Sequence, residues 1–217
     1  MPHTLSRPFR RLLSILRPCL ATVIFAAFAL STVHAAPRTV LILGDSLSAG
    51  YGLRPDAAWP ALLQERLRTR GQDYSVVNRS ISGETTAGGQ SRLATALARD
   101  PAALVVLALG ANDGLRGLPL PQMRANLAAM IDTARRAGAR VLLVGMRLPP
   151  NYGPYADDFA QVFADLARER KVAFLPFLLE PVASRPELFQ PDQLHPTAHA
   201  QPLLLEHVWG ALAPLLK

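Results

Sequence analysis

Five short apolar, β-branched runs constrain this chain more than any other feature: Thr39–Leu43, Tyr74–Asn78, Ala103–Leu109, Arg140–Val144 and Val172–Leu175. None alternates cleanly between polar and apolar residues, which is the pattern of strands covered on both faces. Helical periodicity fills the gaps. Trp59, Leu62, Leu63 and Leu67 share one face, as do Met123, Leu127, Met130, Ile131 and Ala134. Tyr155, Phe159, Val162, Phe163 and Leu166 repeat the pattern, and so do Leu205, Val208, Trp209 and Leu212. Pro202 suits the first turn of that last helix, where a missing N–H costs nothing. Strand alternating with helix predicts an α/β fold, a three-layer α/β/α sandwich around a five-stranded parallel sheet with right-handed crossovers. The pattern fits one domain over residues 36–217.

Residues 1–35 read differently. Arg7, Arg10, Arg11 and Arg17 form a basic start without an acid, and an apolar run from Leu20 to Val33 follows. Val33-His34-Ala35 places small residues where a signal peptidase cuts, so a cleaved secretory signal is expected, with the mature chain starting near Ala36. The apolar run is shorter than the ~20 residues of a spanning helix, which argues against a retained membrane anchor. Periplasmic or secreted localisation follows. Cleavage would lower the formal charge from +7 to +3, leaving no basic stripe to suggest a nucleic-acid partner. It would also remove Cys19, the only cysteine, and leave His195, His199 and His207 as the histidines. A thiol nucleophile, a disulfide and a cysteine metal site are then excluded. Nothing in the sequence suggests more than a monomer.

In an open parallel sheet the chemistry belongs at the carboxyl ends of the strands. The loops there have unusual composition: Gly44-Asp45-Ser46-Leu47-Ser48, Arg79–Thr85, Gly110–Gly114, Arg147–Gly153 and Asp192–Pro196. Without cysteine, a nucleophile must be serine or threonine. Ser46 directly follows the first strand, where a serine entering a helix exposes its Oγ and aims its own N–H at a developing oxyanion. Ser80 and Ser82 compete from the second loop; turn and capping chemistry is the simpler reading for them and for Ser48. His195 lies in a loop, whereas His199 and His207 lie on or beside the last helix, where a surface role suffices. Asp192 stands three residues before His195, a spacing that can bring its carboxylate to the ring Nδ1–H. Gly83 and Asn112 are candidate oxyanion donors, although Asn112 alone also fits an Asx turn. No Gly-x-Ser-x-Gly elbow is present, which disfavours the α/β-hydrolase fold.

These blocks, in this order, resemble the GDSL, or SGNH, hydrolase family. Longer stretches carry the likeness: Leu41–Gly52, Ala58-Trp59-Pro60, Val77–Thr85, Asn112–Leu118, Arg147–Gly153 and His195–Pro202. It spans roughly residues 38–214. The resemblance implies a flavodoxin-like sandwich, a Ser46–His195–Asp192 triad, and an oxyanion hole from the Ser46 and Gly83 N–H groups and the Asn112 side chain. It implies a small-molecule acyl ester or thioester substrate (aryl ester, acyl-CoA or lysophospholipid), no cofactor and no metal. It also implies a shallow groove, with Leu148 and Pro149 bordering the acyl chain. Two departures stand out: Ala111 where relatives often have Gly, and Gln193-Leu194 where Gly-Ile is common.

Two other classes remain at this level. A metal-dependent hydrolase could use Asp192, His195 and His199 as ligands, although the pair lacks the Glu of a His-Glu-x-x-His site and Pro196 disturbs the helix between them. A non-catalytic lipid-binding module could occupy the same fold. Activity in chelator and turnover of any ester separate these from a serine hydrolase.

Overall fold

A computed structural model describes residues 38–216. The expected signal segment, residues 1–35, lies outside the described residues. The chain runs β1 (Arg38–Gly44), α1 (Ser46–Ala49), α2 (Trp59–Thr69), β2 (Tyr74–Asn78), α3 (Thr86–Arg99), β3 (Leu104–Ala108) and α4 (Ala111–Leu115). It continues through α5 (Leu120–Arg136), β4 (Arg140–Val144), α6 (Pro154–Arg170), β5 (Ala173–Leu175) and α7 (Gln201–Leu212). The five strands form one parallel sheet in the order β2-β1-β3-β4-β5.

The strand pleat sends alternate residues to opposite faces. Leu41 and Leu43 of β1 join Val105 and Leu107 of β3 in a core closed by Leu93, Leu127, Ile131, Phe159 and Phe163 from α3, α5 and α6. Val40 and Ile42 point the other way, into a core with Trp59, Leu63 and Leu67 of α2 and Leu204, Val208 and Leu212 of α7. Each wholly buried leucine contributes about 2 kcal/mol from removal of its surface from water. The three layers follow from this two-sided burial. The edge strands β2 and β5 are the exceptions: Ser75, Val76 and Val77 of β2 and Ala173 and Phe174 of β5 are half-buried.

Two local features hold helices in their layers. The α2 N-terminus has no side-chain cap of its own; instead the buried Gln201 of α7 accepts the Trp59 N–H at 3.0 Å. Pro202 follows in the first turn of α7, as expected. Helix α3 lies outside the segments that periodicity marks as helical. Its first turns hold Gly88 and Gly89, poor helix formers, and Gly89 lies under Leu109, whose Cδ1 would be 2.3 Å from an added Cβ. The Leu93–Leu97 pair, four residues apart and buried, is its one apolar signal.

Strand order reverses direction between β1 and β3. The chain leaves β1 toward β2 on one side and returns to β3 on the other, opening a crevice at their carboxyl ends. Gly44 and Ala108 are register partners at that rim.

Candidate active site

β1 turns into α1 within one residue. A Cβ on Gly44 would lie 2.8 Å from the Ser48 Cβ and 3.1 Å from the Ala108 carbonyl oxygen, so only glycine allows the turn. Asp45 caps α1, its Oδ1 accepting the Leu47 N–H at 3.0 Å. Ser46 is thereby presented at the crevice while Ser48 turns inward and is fully buried.

His195 arrives from the far end of the sequence on a turn built around Asp192. The Asp192 Oδ1 accepts the N–H groups of Leu194 at 2.9 Å and His195 at 3.0 Å. Its Oδ2 lies 2.7 Å from His195 Nδ1, and His195 Nε2 lies 2.9 Å from Ser46 Oγ. With the carboxylate taking the Nδ1–H, Nε2 is left to accept the Ser46 proton. Hydrogen bonds from the His195 backbone and ring, and from Leu194, pull the Asp192 pKa down to about 2. Asp45 goes the other way: burial raises it to about 6, against the Leu47 hydrogen bond and the His195 charge.

Gly83 and Asn112 line the same crevice with Asp45, Ser46, Tyr51 and His195, around a cleft of about 270 Å³. Gly83 adopts φ +79°, a left-handed conformation that glycine enters without strain. Asn112 Nδ2 donates to the Glu84 carbonyl at 3.1 Å and lies 3.5 Å from Asp45 Oδ2. The second contact is at the limit of a hydrogen bond, so a substrate oxyanion can compete for that N–H. Ala111, Leu115, Met146 and Leu194 continue from this cleft into a second cavity of about 390 Å³, where Leu148 and Pro149 form part of the wall. Leu148 and Pro149 therefore border the adjoining apolar cavity rather than the cleft at Ser46 itself.

Both ring nitrogens of His195 are engaged, by Asp192 and by Ser46, and not by the rival serines. Ser82 lines the cleft, and the Ser80 Oγ is buried without a hydrogen-bond partner. His199 is exposed, and His207 Nε2 is hydrogen-bonded to the Phe177 carbonyl at 2.9 Å. Among the described residues no helix is long and apolar enough to cross a membrane.

Several contributors are not legible in the sequence. The Tyr51 ring sits 4.5 Å from the His195 ring, between centroids. Gln190 Nε2 donates to the Tyr51 carbonyl at 2.8 Å and to the Pro196 carbonyl at 3.2 Å, tying the histidine turn to the serine loop. Glutamine and tyrosine at such loop positions carry no spacing signal. Gln193 adopts φ +54°, a left-handed conformation that costs a residue with a side chain and that glycine enters without strain.

A parallel sheet with serine, imidazole and carboxylate hydrogen-bonded in series at its switch point defines a serine-hydrolase type of site. Residues 42–201 match the model of the GDSL-like lipase/acylhydrolase family. The chain is 50% identical over 203 residues to the esterase TesA of Pseudomonas aeruginosa, covering 93% of this chain and 98% of that one. It is 42% identical over 183 residues to thioesterase 1/protease 1/lysophospholipase L1 of Escherichia coli K12, covering 84% of this chain and 86% of that one. A crystal structure of TesA superimposes with a TM-score of 0.81 at 52% identity, over 82% of this chain and 100% of that one. The chain belongs to the GDSL-like lipase/acylhydrolase family and is an ester hydrolase of that family.

Proposed function

We propose that Ser46 is the nucleophile, His195 the general base and Asp192 the group that orients it, in a periplasmic or secreted hydrolase of acyl esters and thioesters. The observation that carries this reading is the unbroken series Asp192 Oδ2–His195 Nδ1–His195 Nε2–Ser46 Oγ, with links of 2.7 and 2.9 Å. His195 Nε2 takes the Ser46 proton as Oγ attacks the substrate carbonyl. The Ser46 and Gly83 N–H groups and Asn112 Nδ2 hold the oxyanion, a donor of this kind lowering the barrier by ~3–4 kcal/mol. His195 then passes its proton to the departing alcohol or thiol, leaving an acyl-Ser46 ester. A water, deprotonated by the same Nε2, releases the acid.

The acyl chain lies along the cavity bordered by Leu148 and Pro149, whose apolar wall suits hydrocarbon. The cleft is open and needs no cofactor for this chemistry. Thioesters and lysophospholipids present the same carbonyl, and the names of the relatives span both. The mature enzyme is a monomer that starts near Ala36 once residues 1–35 are removed, with no stable membrane anchor and no nucleic-acid partner.

The test is Ser46→Ala on p-nitrophenyl acyl esters. The variant keeps its melting temperature and loses kcat by ~10³-fold or more. An organophosphate labels Ser46 in the unmodified enzyme. A fully active Ser46→Ala variant overturns the assignment.

A further inference from the structure

The two oxyanion donors outside the serine turn come from different loops, and a group buried beneath them joins those loops. The α4 segment and its C-cap send side chains to residues 83–86 from three positions. Asn112 Nδ2 donates to the Glu84 carbonyl at 3.1 Å, and the Arg116 guanidinium donates to the Gly83 carbonyl at 3.0 Å. Between them Asp113 makes the tightest and most deeply buried connection. Its Oδ2 accepts the Thr86 N–H at 2.8 Å and its Oδ1 accepts the Thr86 hydroxyl at 2.6 Å. Asp113 is 3% exposed and Thr86 is fully buried.

The network does not stop there. The Thr86 Oγ1 accepts Asn126 Nδ2 at 3.1 Å, and Asn126 Oδ1 accepts Gln122 Nε2 at 2.9 Å. Both belong to α5, so one hydrogen-bonded chain runs from α5 through the first turn of α3 to the turn that carries Asn112. Helix α3 already has a cap in Thr85, whose Oγ1 accepts the Gly88 N–H at 3.4 Å. The Asp113–Thr86 pair is therefore more than a replacement for a missing cap. A buried carboxylate with two donors and the positive end of a fourteen-residue helix beside it is well compensated.

We propose that Asp113 and Thr86 are positioning residues of the oxyanion hole, fixing the Gly83 loop and the Asn112 turn at one separation before substrate arrives. This rests on the assignment of Gly83 and Asn112 as oxyanion donors. Preorganised donors lose their advantage when displaced, and a shift of ~1 Å in a reacting geometry costs about a hundredfold. Substrate binding in the ground state depends on the apolar walls and is left alone.

The experiment compares Thr86→Val, Thr86→Ser and Asp113→Asn with the unmodified enzyme on a p-nitrophenyl acyl ester. It also measures binding of an alkyl boronic acid, which mimics the tetrahedral adduct. Thr86→Val lowers kcat by about ten- to hundredfold with KM within about twofold, and weakens boronic acid binding by the same factor as kcat/KM. Thr86→Ser restores both. Asp113→Asn, of unchanged size, gives the same paired losses and serves if Thr86→Val does not fold. A fall in melting temperature with kcat and boronic acid affinity unchanged makes the network a stability device and overturns the proposal. So does a fall in kcat without loss of boronic acid affinity. Failure of the underlying serine assignment reads out separately, as absence of organophosphate labelling at Ser46 in the unmodified enzyme.

Discussion

Two carboxylates flank the Ser46–His195 pair, and their surroundings are opposite. Asp192 keeps a side chain 41% exposed, yet hydrogen bonds hold its pKa at about 2. Asp45 is 2% exposed, and burial lifts it to about 6 despite the Leu47 N–H. At Asp192 three hydrogen bonds meet little desolvation, whereas at Asp45 burial outweighs the hydrogen bonds it accepts. The difference suits their places. In the triad proposed above Asp192 steadies an imidazolium and must stay charged, which the exposed turn allows with little desolvation. Asp45 serves the turn into α1, where its Oδ1 accepts the Leu47 N–H.

That contrast makes a kinetic prediction, which is also the largest effect expected. Asp192→Asn loses kcat on an acyl ester by ~10³–10⁴-fold, because an amide favours the wrong imidazole tautomer. Asp45→Asn keeps an oxygen for the Leu47 N–H and loses about tenfold at most, the cost of an amide facing Asn112 Nδ2. Steady-state kinetics of the two variants decide it; equal losses would break the distinction.

Stability against pH sharpens it next. Asp45 binds its proton more tightly in the folded chain than in the unfolded one, whose value is near 3.8. Between about pH 4 and pH 6 the folded state therefore holds more protons, and stability falls as pH rises, by up to about 3 kcal/mol. Asp192 has the reverse sign. Its stabilisation is present above about pH 4 and is lost as pH falls toward 2. Urea titrations of the unmodified enzyme and Asp45→Asn across pH 2–7 separate the two, since the substitution removes the slope between pH 4 and 6 and leaves the one below pH 4.

The smallest effect probes the backbone of the exposed turn. Gln193, next to Asp192, holds φ +54°. Gln193→Gly relieves the left-handed strain and, after the added freedom of the unfolded chain, stabilises by about 1 kcal/mol. Thermal unfolding measures it, and a destabilised variant would mean that the Gln193 side chain, which reaches the Gln190 carbonyl at 3.3 Å, matters more than the strain.

Much of the fold is legible in the chain itself. All five strands lie within two residues of the apolar runs; for β1, β3 and β4 the reason is that strands buried on both faces leave continuous apolar text. The face of α5 can be read residue by residue, since Met123, Leu127, Met130, Ile131 and Ala134 are all buried. Helix α3 escapes because two glycines weaken its local signal and tertiary packing under Leu109 supplies the rest. His195 stands out through elimination and loop position; the choice of Ser46 over Ser80 and Ser82, and of Asp192 as the partner acid of His195, is carried by the resemblance.

What the sequence by itself determined was residue type and period: which segments must be covered on both faces, and which loops hold a serine, an imidazole and a carboxylate. Tertiary structure alone decided what meets what. Ser46 and His195 are 149 residues apart, and their 2.9 Å approach exists only because β1 and the closing turn share one end of the sheet. The Gln201 cap on α2, the Gln190 link to Tyr51 and the Asp113–Thr86 pair are likewise long-range hydrogen bonds. Their partners are chosen by burial and geometry, which leave no period in the chain to be read.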